Sequence, residues 1–258
     1  MKHISLVFAL LLSALILSAQ DKIPAFGTID KADLEMKDCS FDPGAEAMVL
    51  LDMGEIGFDY FQGSGWVSET SYRIRIKILK ESAVGRSEIK LRYYAVNRRE
   101  EVTNISGISY NLDANGNIAE SKLESNSIYN KAIDKDYSEV SFALPNVKAG
   151  TVFEYKYKMQ RKSYSYIPGW NFQQTIPVRY SAYNVMIPEY FQFTALVSKR
   201  QDLEKKPSNG IKDGTWYIMR NIKGLKDEPF SSGKIDYIQR IDFQLASINA
   251  PGYYEEIR

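Results

Sequence analysis

The sequence predicts an all-β, mainly antiparallel fold, built as one large β-sandwich with one or two short helices near its N-terminus. Three observations predict it. The stretch "SYRIRIKIL" alternates strictly, with Tyr72, Ile74, Ile76 and Ile78 on one face and Arg73, Arg75 and Lys77 on the other, the pattern of a half-buried antiparallel strand. Similar runs follow at roughly ten-residue spacing: "SEIKLRYYAV", "VTNISGISYNL", "NIAESKLES", "YSEVSFAL", "TVFEYKYKMQ", "YSAYNVMI", "FQFTALV" and "TWYIMRNI". Turn residues separate them, among them Asn115-Gly116, a type I′ hairpin signal, and no long amphipathic helix interrupts them.

The first element is a leader. Lys2 supplies a positive start, Ile4 to Leu17 an apolar run, and Ser18, Ala19 and Gln20 a small-residue exit, so residues 1–20 are expected to be a secretory signal peptide. The apolar run is short for a membrane span and the chain turns polar at Asp21, so no stable membrane insertion is expected. Residues 21–258 should form a single exported module in the periplasm or cell envelope, or outside the cell. Two short helices are expected next: one capped by Asp30 in "IDKADLEM", the other opened by Asp42 and Pro43 in "DPGAEAMVLL". From Met48 onward the pattern is strand. "GSGW" at Gly63 to Trp66 reads as a hairpin, Asn146 to Gly150 as a turn between strands, and "KRQDLEKKPSNGIKDG" as a long hairpin excursion. On the strand after Gly150, Phe153, Tyr155, Tyr157 and Met159 should face the core while Val152, Glu154, Lys156 and Lys158 face solvent.

Composition excludes much chemistry. The chain carries 33 basic and 32 acidic residues, and the leader takes away Lys2 and the only histidine, His3. An even balance offers no electrostatic case for nucleic acid. Without an imidazole, Ser–His–Asp and Cys–His catalysis and histidine-based zinc sites have no base or ligand. The lone Cys39 supports no disulfide framework and reads as a small, partly buried apolar residue. Ser231 and Lys234 have the S-x-x-K spacing, but Pro229 and Gly233 argue for a loop there; Ser87 and Lys90 fall in a strand pattern that points them to opposite faces. Asp113 and Asn115 suggest turn chemistry before a calcium loop, and the neighbours Asp134 with Asp136 and Asp227 with Glu228 read as solvated acids. No catalytic residue, metal ligand or cofactor is therefore expected.

The best binding candidate is "SYSYIPGWNFQQTIPVRY", residues 163–180. Tyr164, Tyr166, Trp170 and Phe172 could stack on a glycan or clamp an extended peptide. Their period-two placement on either side of Pro168-Gly169 equally suits core filling, which is the weightier reading.

The blocks "DPGAEAMVLLDMG", "YRIRIKIL", "ISYNLDANGNI", "FALPNVKAGTVFEYKYKM", "WNFQQTIPVRYSAYNVMIPEYFQF", "DEPF" and "RIDFQL" carry a resemblance. Across about residues 26–250 the sequence resembles the domain of unknown function found ahead of the transglutaminase-like core in secreted proteins of Gram-negative bacteria. The resemblance implies a non-catalytic β-module that packs against, or presents substrate to, a downstream or separate transglutaminase-like, papain-like domain. No Cys, His and Asp triad matches that core here, so no catalytic residue carries over. The alternatives are a stand-alone glycan- or peptide-binding protein, a carboxylate-based glycan hydrolase, and a purely structural spacer.

Overall fold

The computed structural model describes residues 23–63, 65–208, 213–226, 238–250 and 252–257. The expected leader, the "DEPF" block, Ser231 and Lys234 lie outside those residues. Contacts divide the chain into residues 1–30 and 31–258. In the first, the Thr28 amide and hydroxyl both donate to the Ala25 carbonyl, closing a turn at Phe26 and Gly27.

The second is all-β. A short helix, α1 (Lys31–Glu35), is followed by β1 (Ala47–Phe61), β2 (Gly65–Ile78), β3 (Glu88–Tyr94), β4 (Glu100–Leu112), β5 (Ile118–Lys122), β6 (Tyr129–Ala132), β7 (Tyr137–Ala143) and β8 (Val152–Arg161). Next come β9 (Trp170–Asn171), β10 (Val178–Val185), β11 (Phe191–Ser198), β12 (Glu204–Pro207), β13 (Thr215–Ile222), β14 (Arg240–Ala250) and β15 (Tyr253–Glu256). One sheet of eight strands runs β12-β13-β10-β1-β2-β8-β4-β5; a second runs β11-β14-β15 with β9 also on β14; a third runs β3-β7-β6. All pairings are antiparallel except β1 with β10.

One face of the large sheet is covered by the two smaller ones, and a single core cluster joins all three. It holds Val49, Ile56, Ile76 and Phe153 from the large sheet, Ile89, Val140 and Phe142 from the third, and Ile241 with Trp170 from the second. Edge-to-face rings tie the layers: Phe142 meets Tyr155 at 5.8 Å, and Phe243 meets Tyr183 at 6.2 Å and Tyr217 at 5.8 Å.

Local chemistry explains the predicted turns. The Asp113 carboxylate accepts from the amides of Asn115 and Asn117 at 2.8 Å, and Gly116 adopts φ +76°. Gly150 sits at φ +92°, left-handed backbone that favours glycine, and its amide bonds the Ile78 carbonyl at 2.9 Å. Cys39 is buried, and burial pushes its thiol up. The helix expected after Asp30 forms at Lys31. The helix expected at Asp42 does not: residues 39–44 turn instead, and the apolar run from Ala47 is the buried start of β1. Asp42 accepts from the Gly224 amide at 3.0 Å, and Gly44 at φ +83° ends any helical continuation.

A second departure is energetic. The face of β2 and β8 expected to be solvated is partly buried, with Arg75, Lys77 and Glu154 inside. Register places Arg75 opposite Glu154, and the Glu154 Oε2 accepts from Arg75 at 3.1 and 3.0 Å and from Arg73 at 3.3 and 3.0 Å. Tyr110 donates to the other carboxylate oxygen at 3.3 Å. Lys77 Nζ donates to the carbonyls of Leu34 in α1 and of Gly150, both at 2.7 Å, while burial pulls its ammonium down to about 8. Charges can be buried where each has its partners, and alternation alone does not reveal partners such as Tyr110 or the Leu34 carbonyl.

Asp52 is a further buried ionisable group, on the core side of β1. Its carboxylate accepts from Gln174 Nε2 at 2.7 Å, and burial pushes it up to about 7 despite that bond.

Two outcomes follow. Glu154→Ala removes the carboxylate that Arg73 and Arg75 share inside the sheet and is expected to cost about 3–5 kcal/mol, against under about 1 kcal/mol for Glu69→Ala at its part-exposed pair with Lys158, read from urea unfolding midpoints. For Asp52 the folded state holds the proton more tightly than the unfolded chain, so stability is full below about pH 4 and falls as pH rises towards 7. The fall is about 4 kcal/mol, and Asp52→Asn should flatten the curve between about pH 4 and 7; an unchanged slope refutes it.

Candidate functional site

The aromatic segment is divided by the fold. Pro168, Trp170 and Phe172 point inward, and Trp170 and Phe172 are 6% and 0% exposed; Tyr164 and Tyr166 are 40% and 52% exposed. The four residues therefore do not make one platform. Trp170 and Phe172 are core, and the tyrosines stand at the surface, ahead of the segment's first buried residue, Ile167.

What anchors the buried half is a slot in the large sheet. Register sets Tyr183, Gly54, Tyr72 and Tyr157 side by side across β10, β1, β2 and β8. Gly54 leaves a gap in that row, and the Trp170 ring from β9 fills it, stacked on Tyr183 at 4.8 Å and on Tyr72 at 6.1 Å. A Cβ at Gly54 would lie 2.4 Å from Trp170 Cζ3, so only glycine fits. The indole N–H donates to Ser181 Oγ at 2.9 Å. Tyr72 stacks in turn on Tyr157 at 4.7 Å, and burial raises the hydroxyl pKa values of Tyr72, Tyr157 and Tyr183.

The exposed half joins an aromatic surface whose other members are remote in sequence. Tyr164 stacks on Phe191 at 5.3 Å, Phe191 meets Trp66 edge-on at 5.1 Å, and Trp66 meets Tyr60 at 5.5 Å and Tyr190 at 6.1 Å. Tyr60, Phe61, Tyr253 and Tyr254 are more than half exposed. Tyr253 donates to Glu255, which raises its phenol pKa, and it lies within electrostatic reach of Tyr164. Arg161 lies 5.9 Å over the Tyr166 ring and pairs with Glu100 at 2.6 Å. Tyr60, Trp66 and Tyr190 escape a sequence reading because no period links them. Their one signal is that aromatics bunch beside turn residues in "DYFQGSGW", "IPEYF" and "PGYYEE".

The opposite face of the large sheet carries an open groove of about 680 Å³ lined by Glu55, Ser71, Arg73, Lys156 and Lys158. It opens where β4 slips register between Thr103 and Ser106, with Asn104 at φ 54°. Its charges are mixed, and Lys158 already pairs with Glu69 at 2.5 Å.

Catalytic groupings are sparse. Among the described residues no cluster of three His, Cys, Asp or Glu side chains could hold a metal ion. Asp134 is committed to the amides of Asp136 and Tyr137 and to Arg92, while Asp227 and Glu228 lie outside the described residues. Among the described residues, too, no helix is long and apolar enough to cross a membrane.

Comparison with known proteins adds a family and a fold. A family described as a domain of unknown function with a solved structure, DUF3857, matches residues 67–225. No curated protein matches the sequence. The crystal structure of a "putative protease" from Parabacteroides distasonis superposes with a TM-score of 0.62 at 16% identity, over 78% of this chain and 41% of that one. The chain thus spans well under half of that longer protein. A "putative nutrient binding protein" from Legionella pneumophila gives a TM-score of 0.34 at 6% identity, over 77% of this chain and 67% of that one, a likeness too slight to carry an argument.

Truncation separates the two halves of the aromatic segment. Tyr164→Ala and Tyr166→Ala should each change stability by less than about 1 kcal/mol, and Trp170→Ala should cost about 3–5 kcal/mol in urea unfolding followed by far-ultraviolet circular dichroism. Equal losses at the three positions would contradict the division.

Proposed function

The chain belongs to the DUF3857 family, and from that premise we propose that it is a non-catalytic, exported β-sandwich module that packs against a transglutaminase-like, papain-like domain and holds substrate for it. The observation that carries this reading is the aromatic surface at Tyr60, Trp66, Tyr164, Tyr166 and Tyr253. Exposed aromatics gathered in one patch, rather than scattered singly, are the composition of a protein interface, where Tyr and Trp supply most of the binding energy. Ring contacts hold much of the patch, with Tyr164 stacked on Phe191 and Trp66 edge-on to both Phe191 and Tyr60, so docking would order few side chains.

Two further points support it. The likeness to a longer chain named for proteolysis leaves room there for a catalytic part beyond the shared sandwich. Here, mature residues without a histidine offer no papain-like base, so any such chemistry would lie in the partner. Stand-alone binding of glycans is the competing reading, and Tyr166 is the ring it would use.

A photo-crosslinking amino acid at Tyr166, with Tyr129 on the third sheet as control, distinguishes these in the native host. The expected product is a crosslink to a transglutaminase-like or papain-like domain, identified by mass spectrometry, from position 166 and not from 129. Crosslinks from 166 to glycan alone, or the same products from both positions, would overturn the proposal.

A further inference from the structure

Sheet edges expose backbone N–H and C=O groups that template pairing with another strand, and proteins blunt them with charge, proline or shortness. Besides the two-residue β9 on β14, the three sheets end on β12, β5, β3, β6, β15 and β11. Five of these strands carry charged residues: "EKKP", "IAESK", "EIKLRYY", "YNKA" and "YYEE". The sixth does not. β11, "FQFTALVS", is eight residues long, the longest of the six, and has no charge, proline or glycine. Among the described residues it pairs only with β14, and Leu196 and Val197 upon it are 53% and 37% exposed.

We infer that β11 pairs antiparallel with β11 of a second copy of this chain, joining the two second sheets into one across a two-fold axis. The flanking residues argue for that occupant over an unrelated peptide. Glu189 lies two residues before the strand and Lys199 one after it, both exposed. A two-fold axis at Thr194 sets Phe191 opposite Val197, Gln192 opposite Leu196 and Phe193 opposite Ala195, and it brings each Glu189 to the other copy's Lys199. Facing residues then keep to one side of the sheet: Phe191, Phe193 and Ala195 pack towards the cores, so the exposed Val197 gains the partner's Phe191 as cover. A slip of two residues in either direction loses both charge pairs, which fixes the register. A passing peptide would satisfy the backbone but not this bracket of opposite charges.

Sedimentation velocity of the chain over a range of concentrations tests the pairing. The expected result is a reversible dimer. Glu189→Lys alone and Lys199→Glu alone, each placing like charges together twice, should raise the dimer dissociation constant about tenfold or more at low salt. The double exchange should bring it back towards the parent value. A synthetic peptide copying residues 189–200 should dissociate the dimer, and its Glu189→Lys form should not. A monomer at every concentration, a dimer indifferent to the exchanges, or equal competition by an unrelated strand-forming peptide would overturn the proposal. Both positions are exposed, and circular dichroism of each variant checks that it is folded.

Discussion

Trp170 lying over Gly54 is the contact on which the rest of this architecture turns. β9 is only two residues long and pairs with β14 through Asn171 and Trp170, too little backbone bonding to fix a strand by itself. The indole does it instead, by entering a slot that a missing side chain opens between two stacked tyrosines. One ring thereby touches β10 and β2 of the large sheet while its backbone belongs to the second sheet, so it joins the two layers in register. The same anchoring decides where the preceding residues go. Gly169 passes so close to Asp242 that a Cβ would meet its Oδ1 at 2.3 Å, and upstream of that pinch Tyr164 and Tyr166 are left on the surface beside Phe191 and Arg161.

The sandwich is charged where a simple alternating pattern would have it wet. Arg73, Arg75 and Glu154 make a cross-strand group with Tyr110, and Lys77 reaches the backbone of α1 and of the Gly150 turn. Such groups add little net stability, yet their directional bonds penalise every other register of β2 on β8. They therefore specify which strands pair more than how tightly. Asp52 is the opposite case, a carboxylate in the core with one amide donor, and it leaves the fold dependent on pH.

Much of the fold was legible in the sequence because strand burial imposes a period of two. "SYRIRIKIL", "TVFEYKYKMQ" and the turns at Asn115-Gly116 and Gly150 announce themselves locally. The helix expected at Asp42 failed because its proline and aspartate serve a turn, and Ala47 to Leu51 are apolar on both faces, which suits a covered strand as well as a helix. The burial of Arg75, Lys77 and Glu154 was not legible, since it depends on partners remote in sequence, Tyr110 on β4 for Glu154 and the Leu34 carbonyl of α1 for Lys77. The candidate site was half legible: its aromatic richness is plain, but sorting Tyr164 and Tyr166 from Trp170 and Phe172 depends on Gly54, more than a hundred residues away in the chain.

Docking through the aromatic surface and pairing through β11 share Phe191, and both need the second sheet fixed on the large one, as the Trp170 insertion fixes it. Gly54→Ala against Gly57→Ala, compared by urea unfolding, tests that insertion most directly. At Gly57 a new methyl would meet only Met186 Cε at 3.5 Å, an ordinary contact. Expected is a loss of about 3 kcal/mol or more for Gly54→Ala, with altered tryptophan fluorescence in the folded state, and a change within about 1 kcal/mol for Gly57→Ala. Two glycines of β1 that tolerate the methyl equally would contradict a fold hung on that slot.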